Sequence, residues 1–150
     1  MKTMVEFKSW EDLAPEAKMP QRSALFLLPP VGAGTPQQES LISLLVRTSR
    51  AHSVGTRQLI GSVYAHAEPE IAGLGYAKFY KSLAATINGL GKYAELFVRA
   101  TERLTGQGDL RKQTLLPWKG LFPNNGQGLL AKHPQWCPDC LQAQTSKETG

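Results

Sequence analysis

Cysteine is nearly absent from this chain of 150 residues, which holds two, Cys137 and Cys140. That is too few for the disulfide framework of a small secreted domain and suits reduced thiols or a metal. Long apolar runs are missing too. The longest patch, Ala24-Leu25-Phe26-Leu27-Leu28, falls far short of the roughly 18 residues a membrane helix needs. Met1 to Trp10 lacks the apolar centre of a secretory signal, so a soluble, cytoplasmic chain is expected with no membrane partner. Acid is scarce as well: 12 Asp and Glu stand against 17 Lys and Arg, a net charge of +5, which favours an anionic partner without proving one. No carboxylate pair, hydrolase triad or complete catalytic metal set stands out, so the sequence reads as non-enzymatic.

What is present begins at Pro36. From there to His52, Leu41, Leu44, Leu45, Thr48 and Ala51 recur at helical spacing, which predicts an amphipathic helix capped by Thr35 with Pro36 at its first position. Glu39 then lies where a negative charge suits the helix dipole. Ser53-Val54-Gly55 breaks the pattern, with the glycine suited to a left-handed helix end. Thr56 caps a second helix whose apolar face is Leu59, Ile60, Val63, Tyr64 and Ala67, closed by Pro69. Two helices joined by a short glycine-bearing turn match the helix-turn-helix outline.

Charge on this pair is one-sided. Between Glu39 and Glu68 there is no acidic residue, whereas Arg47, Arg50 and Arg57 are present with His52 and His66. In a helix-turn-helix the second helix directs its N-terminal residues at base edges while the first crosses the phosphates. Candidate DNA-binding residues are therefore Arg47, Arg50, Thr56, Arg57 and Gln58, arginine and glutamine being suited to base hydrogen bonding. The same arginines also suit the solvated side of an ordinary helical pair, and spacing does not separate the two.

Around this pair the chain divides into three. Residues 1–35 read as an N-terminal arm and linker, with Ser23 to Leu28 extended and stopped by Pro29-Pro30. Gly32-Ala33-Gly34-Thr35 lacks the lysine of a phosphate loop. Residues 36–116 read as the helical domain: a third stripe runs through Tyr76, Phe79, Tyr80, Leu83, Ile87 and Leu90. A fourth follows with Tyr93, Leu96, Phe97, Ala100 and Leu104, ending at Thr105-Gly106. Aromatics at helical spacing are core, and together the stripes predict a small, mainly α bundle. Residues 117–150 form a C-terminal segment around Trp136-Cys137-Pro138-Asp139-Cys140. This Cys-x-x-Cys is half of a tetrahedral zinc site, like half of a zinc ribbon, with His133 a candidate third ligand. A thioredoxin-like reading would need a βαβ context that is missing.

Three pieces in order carry a resemblance: Glu39-Ser40-Leu41 opening a helix that runs to Leu45 and Arg47; Leu104-Thr105-Gly106 leading through Asp109-Leu110 to Thr114-Leu115; and Trp136-Cys137-Pro138-Asp139-Cys140-Leu141. Over roughly Leu25 to Leu141 the chain resembles the N-terminal part of the TniQ family, to which the target-selecting TnsD proteins belong. The resemblance implies a helix-turn-helix domain followed by zinc-binding modules, in a non-catalytic adapter that chooses where a transposon inserts. Implied partners are double-stranded DNA, a TnsC-like AAA+ ATPase and, in CRISPR-associated transposon systems, an RNA-guided effector complex. Relatives continue with further cysteines and histidines. Here none follows Cys140, so zinc is expected at an incomplete site, in a short family member or a shortened chain. Two alternatives remain: a protein-interaction module docking on a CRISPR effector, and a stand-alone helix-turn-helix transcriptional regulator, which would act as a homodimer.

Overall fold

A computed structural model describes residues 22–74 and 84–122, with Leu130 and Pro138. Among these residues the protein is helical and has no strand. Its first helix, α1, is Leu41–Ala51. The second, α2, spans 56–67 and is one continuous rod of three parts: Thr56–Gln58 and Ala65–Ala67 are α-helical, and Leu59–Tyr64 between them is π-helical. Glu68 adopts an extended conformation and breaks the rod, and Pro69 opens a single turn, α3, Pro69–Ala72. After a 3-10 turn at Ala84–Asn88 comes the longest helix among the described residues, α4, Lys92–Thr105. Two further 3-10 turns, Leu110–Gln113 and Leu116–Leu121, follow it.

The apolar stripes legible in the sequence become the core. Leu41, Leu44 and Leu45 from α1, Leu59, Ile60 and Tyr64 from α2, and Leu96, Phe97 and Ala100 from α4 are all buried in one cluster. Burying one apolar face of each helix in this way is the main driving force for holding them together. The Tyr64 and Phe97 rings lie 5.9 Å apart. Thr101 donates its hydroxyl proton to the Phe97 carbonyl at 2.7 Å, so at 3.1 Å it accepts from the Tyr64 hydroxyl. Burial pushes the Tyr64 phenol up to about 12, against the smaller opposing effect of that Thr101 bond. At the surface, Arg99 and Arg103 of α4 pair with Glu68, and Lys92 with Glu70, fastening the end of α2 and α3 to α4.

Several local expectations give way to tertiary contacts. The first helix begins at Leu41 and not at Pro36, because residues 31–37 close into a turn of their own. Gly32 makes that turn with φ +63°, and a Cβ there would sit 2.8 Å from the Gln37 carbonyl. Ser40 takes the N-cap position without a side-chain cap bond. Instead Asn88, far along the chain, accepts the Ile42 amide at 3.1 Å. At the other end of α1 the left-handed residue is Ser53, φ 55°, and not Gly55, which is an ordinary N-cap with φ −66°. Thr56 is accordingly the first helical residue and not the cap. Ala51, placed on the apolar stripe by its spacing, is exposed.

Periodicity also predicted an ordinary α-helix for residues 59–64. The structure widens it: the Ala65 amide donates to the Ile60 carbonyl five residues back. The wider turn brings Leu59 and Tyr64, five apart, closer to one buried line than an α-helix would. Tyr76, Phe79, Tyr80 and Leu83 of the expected third stripe lie outside the described residues. Its last two members, Ile87 and Leu90, are buried, with Ile87 in the 3-10 turn. Leu25 to Pro30 is irregular chain and pairs with no strand among the described residues.

This irregular chain, residues 22–31, is a strap laid antiparallel along α1. Leu25 is buried and its amide bonds the Leu104 carbonyl at the end of α4, 2.9 Å. Phe26 then meets His52 at the C-terminal end of α1, Pro29 meets Arg47 further back along the helix, and Val31 meets Glu39 just before its start. No described helix is long and apolar enough to cross a membrane.

Candidate nucleic-acid interface at the α1–α2 corner

The five candidate residues fall on two helices separated by the turn at 52–55, and their environments differ. Arg47 is half-buried. Its Nε and Nη2 donate to the two carboxylate oxygens of Glu39 at 3.1 and 2.8 Å, and Nη2 also donates to the Pro29 carbonyl at 2.7 Å. The Glu39 side chain is 6% exposed and accepts two more bonds, from the Val31 amide at 3.0 Å and the Ser43 hydroxyl at 3.1 Å. Burial alone would raise the Glu39 carboxyl. The Arg47 hydrogen bonds and charge outweigh it, with the Val31 amide and Ser43 hydroxyl helping, and hold the carboxyl below its ordinary value.

Arg50, three residues on, is exposed. Its carbonyl accepts the Ser53 amide and so helps shape the turn, while its side chain extends from the surface of the last turn of α1. Arg57 and Gln58 are exposed in the first turn of α2. With Gly55, Gly61 and Ser62 they line a shallow, open depression on that helix. Thr56 is half-buried, and its hydroxyl lies 2.8 Å from that of Ser49 on α1. Ser49 donates its own proton to the Val46 carbonyl, so Thr56 donates to Ser49. This hydroxyl relay ties the start of α2 to α1 across the turn. The corner is therefore a positioned one, with Arg50, Arg57 and Gln58 outward, Thr56 facing α1, and Arg47 turned to Glu39 and the strap.

Three contributors to this geometry escaped the sequence reading. Glu39 was placed by its helix-dipole position, and its role as the Arg47 acceptor has no local signal because Glu39 precedes the helix. Asn88 looked only like part of a stop signal, yet it caps α1. His52 was counted with the positive face. It accepts the Phe26 amide on Nε2 at 3.0 Å, and its ring stacks on Phe26 with centroids 4.1 Å apart and planes 16° from parallel.

The zinc candidates Cys137, Cys140 and His133 lie outside the described residues. Among the described residues no group of three or more His, Cys, Asp or Glu is placed to hold a metal ion. A separate groove of about 710 Å³ lies at the opposite end of α1, between the 34–40 turn and the 3-10 turns at 110–121, with Trp118 on its wall.

The TniQ family model matches residues 30–149, most of the chain and all of the corner. The chain belongs to the TniQ family. None of the curated proteins with which it was compared matches it. The TniQ family is a family of non-catalytic accessory domains of transposition, so membership associates this chain with a transposon. The region that carried the resemblance at its front, Glu39-Ser40-Leu41, is the start of α1 and the acceptor of Arg47.

Proposed function

We propose that this TniQ domain is a target-selection adapter that contacts duplex DNA through the α1–α2 corner. The observation that carries the reading is the corner itself: a segment without acid, from Ser40 to Ala67, that displays Arg50, Arg57 and Gln58 outward from two helices locked at a short turn. Exposed guanidinium groups on such a surface suit phosphate oxygens, and arginine and glutamine at the head of a second helix suit base edges. Thr56 serves there by fixing the start of α2. The adapter joins this contact to the transposition ATPase, a TnsC-like AAA+ protein, and in an RNA-guided system to the effector complex. Cys137 and Cys140, with His133, supply a zinc half site to the C-terminal segment; their spacing supports this, and metal content after dialysis of purified protein measures it.

The test is a titration of labelled duplex at several salt concentrations. Affinity should fall as salt rises, with a slope close to −0.9 per phosphate contacted. Arg50→Glu with Arg57→Glu should lower affinity at low salt by roughly 100-fold or more, about 3 kcal/mol. Absence of binding by the unaltered protein at low salt would reject the reading.

A second reading, docking on a protein partner such as an effector complex, has its own support in the strap. Phe26, Leu27 and Val31 are 56%, 57% and 56% exposed, an unusual run of large apolar side chains for a surface that meets only DNA. Leu27→Ser with Val31→Ser would then abolish partner capture and leave DNA affinity unchanged.

A further inference from the structure

The guanidinium of Arg47 is occupied within the fold. Three of its contacts lead inward, two to Glu39 and one to the Pro29 carbonyl. The Glu39 carboxylate in turn accepts four bonds, from Arg47 twice, Val31 and Ser43, about the number its two oxygens can take. For Nε or Nη2 of Arg47 to serve a phosphate, they would have to leave a carboxylate whose side chain is 6% exposed, stranding a buried charge without its counter-ion. Arg47 and Glu39 instead hold the strap at Pro29 and Val31.

That strap reaches the corner. Three residues before Pro29, Phe26 stacks on His52 and donates its amide to the imidazole Nε2. His52 is the residue on which α1 ends and the turn to α2 begins. A strap anchored at both points leaves little slack between them, so loosening the Arg47 anchor disturbs the His52 contact and with it the angle at which Arg57 and Gln58 face outward relative to Arg50.

We infer that Arg47 and Glu39 are a positioning pair for the DNA-contacting corner, acting through the strap and His52 and not through a phosphate contact. This rests on the DNA reading above and deepens it. Two opposite signs separate the alternatives. Were Arg47 a phosphate ligand restrained by Glu39, Glu39→Gln would release it and tighten DNA binding, an effect that loss of a negative charge would reinforce. As a positioning pair, the same substitution weakens binding.

The experiment measures duplex affinity across salt for the full chain and for Glu39→Gln, Arg47→Met and Arg50→Met, well below each melting temperature. It is paired with NMR spectra of the His52 ring without DNA. Glu39→Gln and Arg47→Met should each weaken binding about 3- to 10-fold with the salt slope of the unaltered protein, and both should shift the His52 resonances. Arg50→Met should reduce the slope by about 1, the signature of a lost phosphate contact. Tighter binding by Glu39→Gln, or a slope reduced by about 1 in Arg47→Met, would overturn the inference and leave the DNA reading standing. So would a lower melting temperature with unchanged affinity and unchanged His52 resonances, the outcome of a purely structural pair. Absence of DNA binding by the unaltered protein rejects the DNA reading, and the inference with it.

Discussion

Arg47 and Arg50 sit one helical turn apart on α1 and have opposite fates. One is bound to a carboxylate that precedes its helix and to a carbonyl of the strap, while the other is exposed at the rim of the turn. Both are arginines in the same acid-free segment, and spacing treats them alike. The difference lies in what the rest of the chain brings alongside. The strap and Glu39 cover the flank of α1 where Arg47 emerges, and the chain continues past Arg50 into the turn. A basic stretch therefore has two placements in one helix: part of its charge is engaged within the fold, and part lies at the surface.

The largest effect expected is on the support both arginines share. Leu45 is fully buried beneath them, and Leu45→Ala should cost about 2–5 kcal/mol in urea denaturation. A cost below about 1 kcal/mol would mean that α1 is not packed as described and that the two arginines have no common frame.

Next comes the contrast itself. Arg47→Met removes a charged donor from a buried acceptor and should cost about 1–3 kcal/mol, discounted from the full buried-pair penalty because Arg47 is 35% exposed. Equal losses for Arg47→Met and Arg50→Met would erase the distinction. The pair can also be tested with acid. In the folded protein the Glu39 carboxyl is held below its ordinary value of 4.5, whereas the unfolded chain ionises near that value. Its stabilisation is therefore complete above the ordinary value and is lost as pH falls through the folded one. Melting curves of the unaltered protein and Glu39→Gln should be well separated near neutral pH and converge as pH falls below the ordinary carboxyl value and through the lowered folded one. A separation that stayed constant would show that the carboxylate's charge is not what holds the strap. The smallest effect belongs to Arg50→Met, which should change stability by no more than about 0.5 kcal/mol, its loss appearing in DNA affinity alone.

Much of the helical framework was legible because it is periodic. The stripe Leu96, Phe97, Ala100 and Leu104 is long enough to define a buried face. The stop at Gly106 carries the left-handed φ of 71° that glycine permits. The apolar face of α2 was legible for the same reason, although the widened turn at Leu59–Tyr64 was not. Helix ends resisted because they depend on distant atoms. Thr35-Pro36 looks like a start, but Asn88 and the 31–37 turn set it at Leu41. Gly55 looks like the left-handed residue, yet Ser53 takes that conformation where the Ser53 and Val54 amides close on the Arg50 and Ser49 carbonyls. At the candidate site, the outward placement of Arg50, Arg57 and Gln58 followed from helical spacing. The inward one of Arg47 did not, since Pro29 lies well upstream and Glu39 outside the helix.

The order of residues by itself determined the helical character, the faces that become core, the acid-free run and the kinship with TniQ, all of which rest on spacing between near neighbours or on motifs in series. Tertiary structure alone decided where α1 begins, which way Arg47 turns and how the strap meets His52. A buried carboxylate must find a donor wherever the fold supplies one, and a helix start must find an acceptor in the same way. Those partners are chosen by proximity in space, which no local pattern encodes.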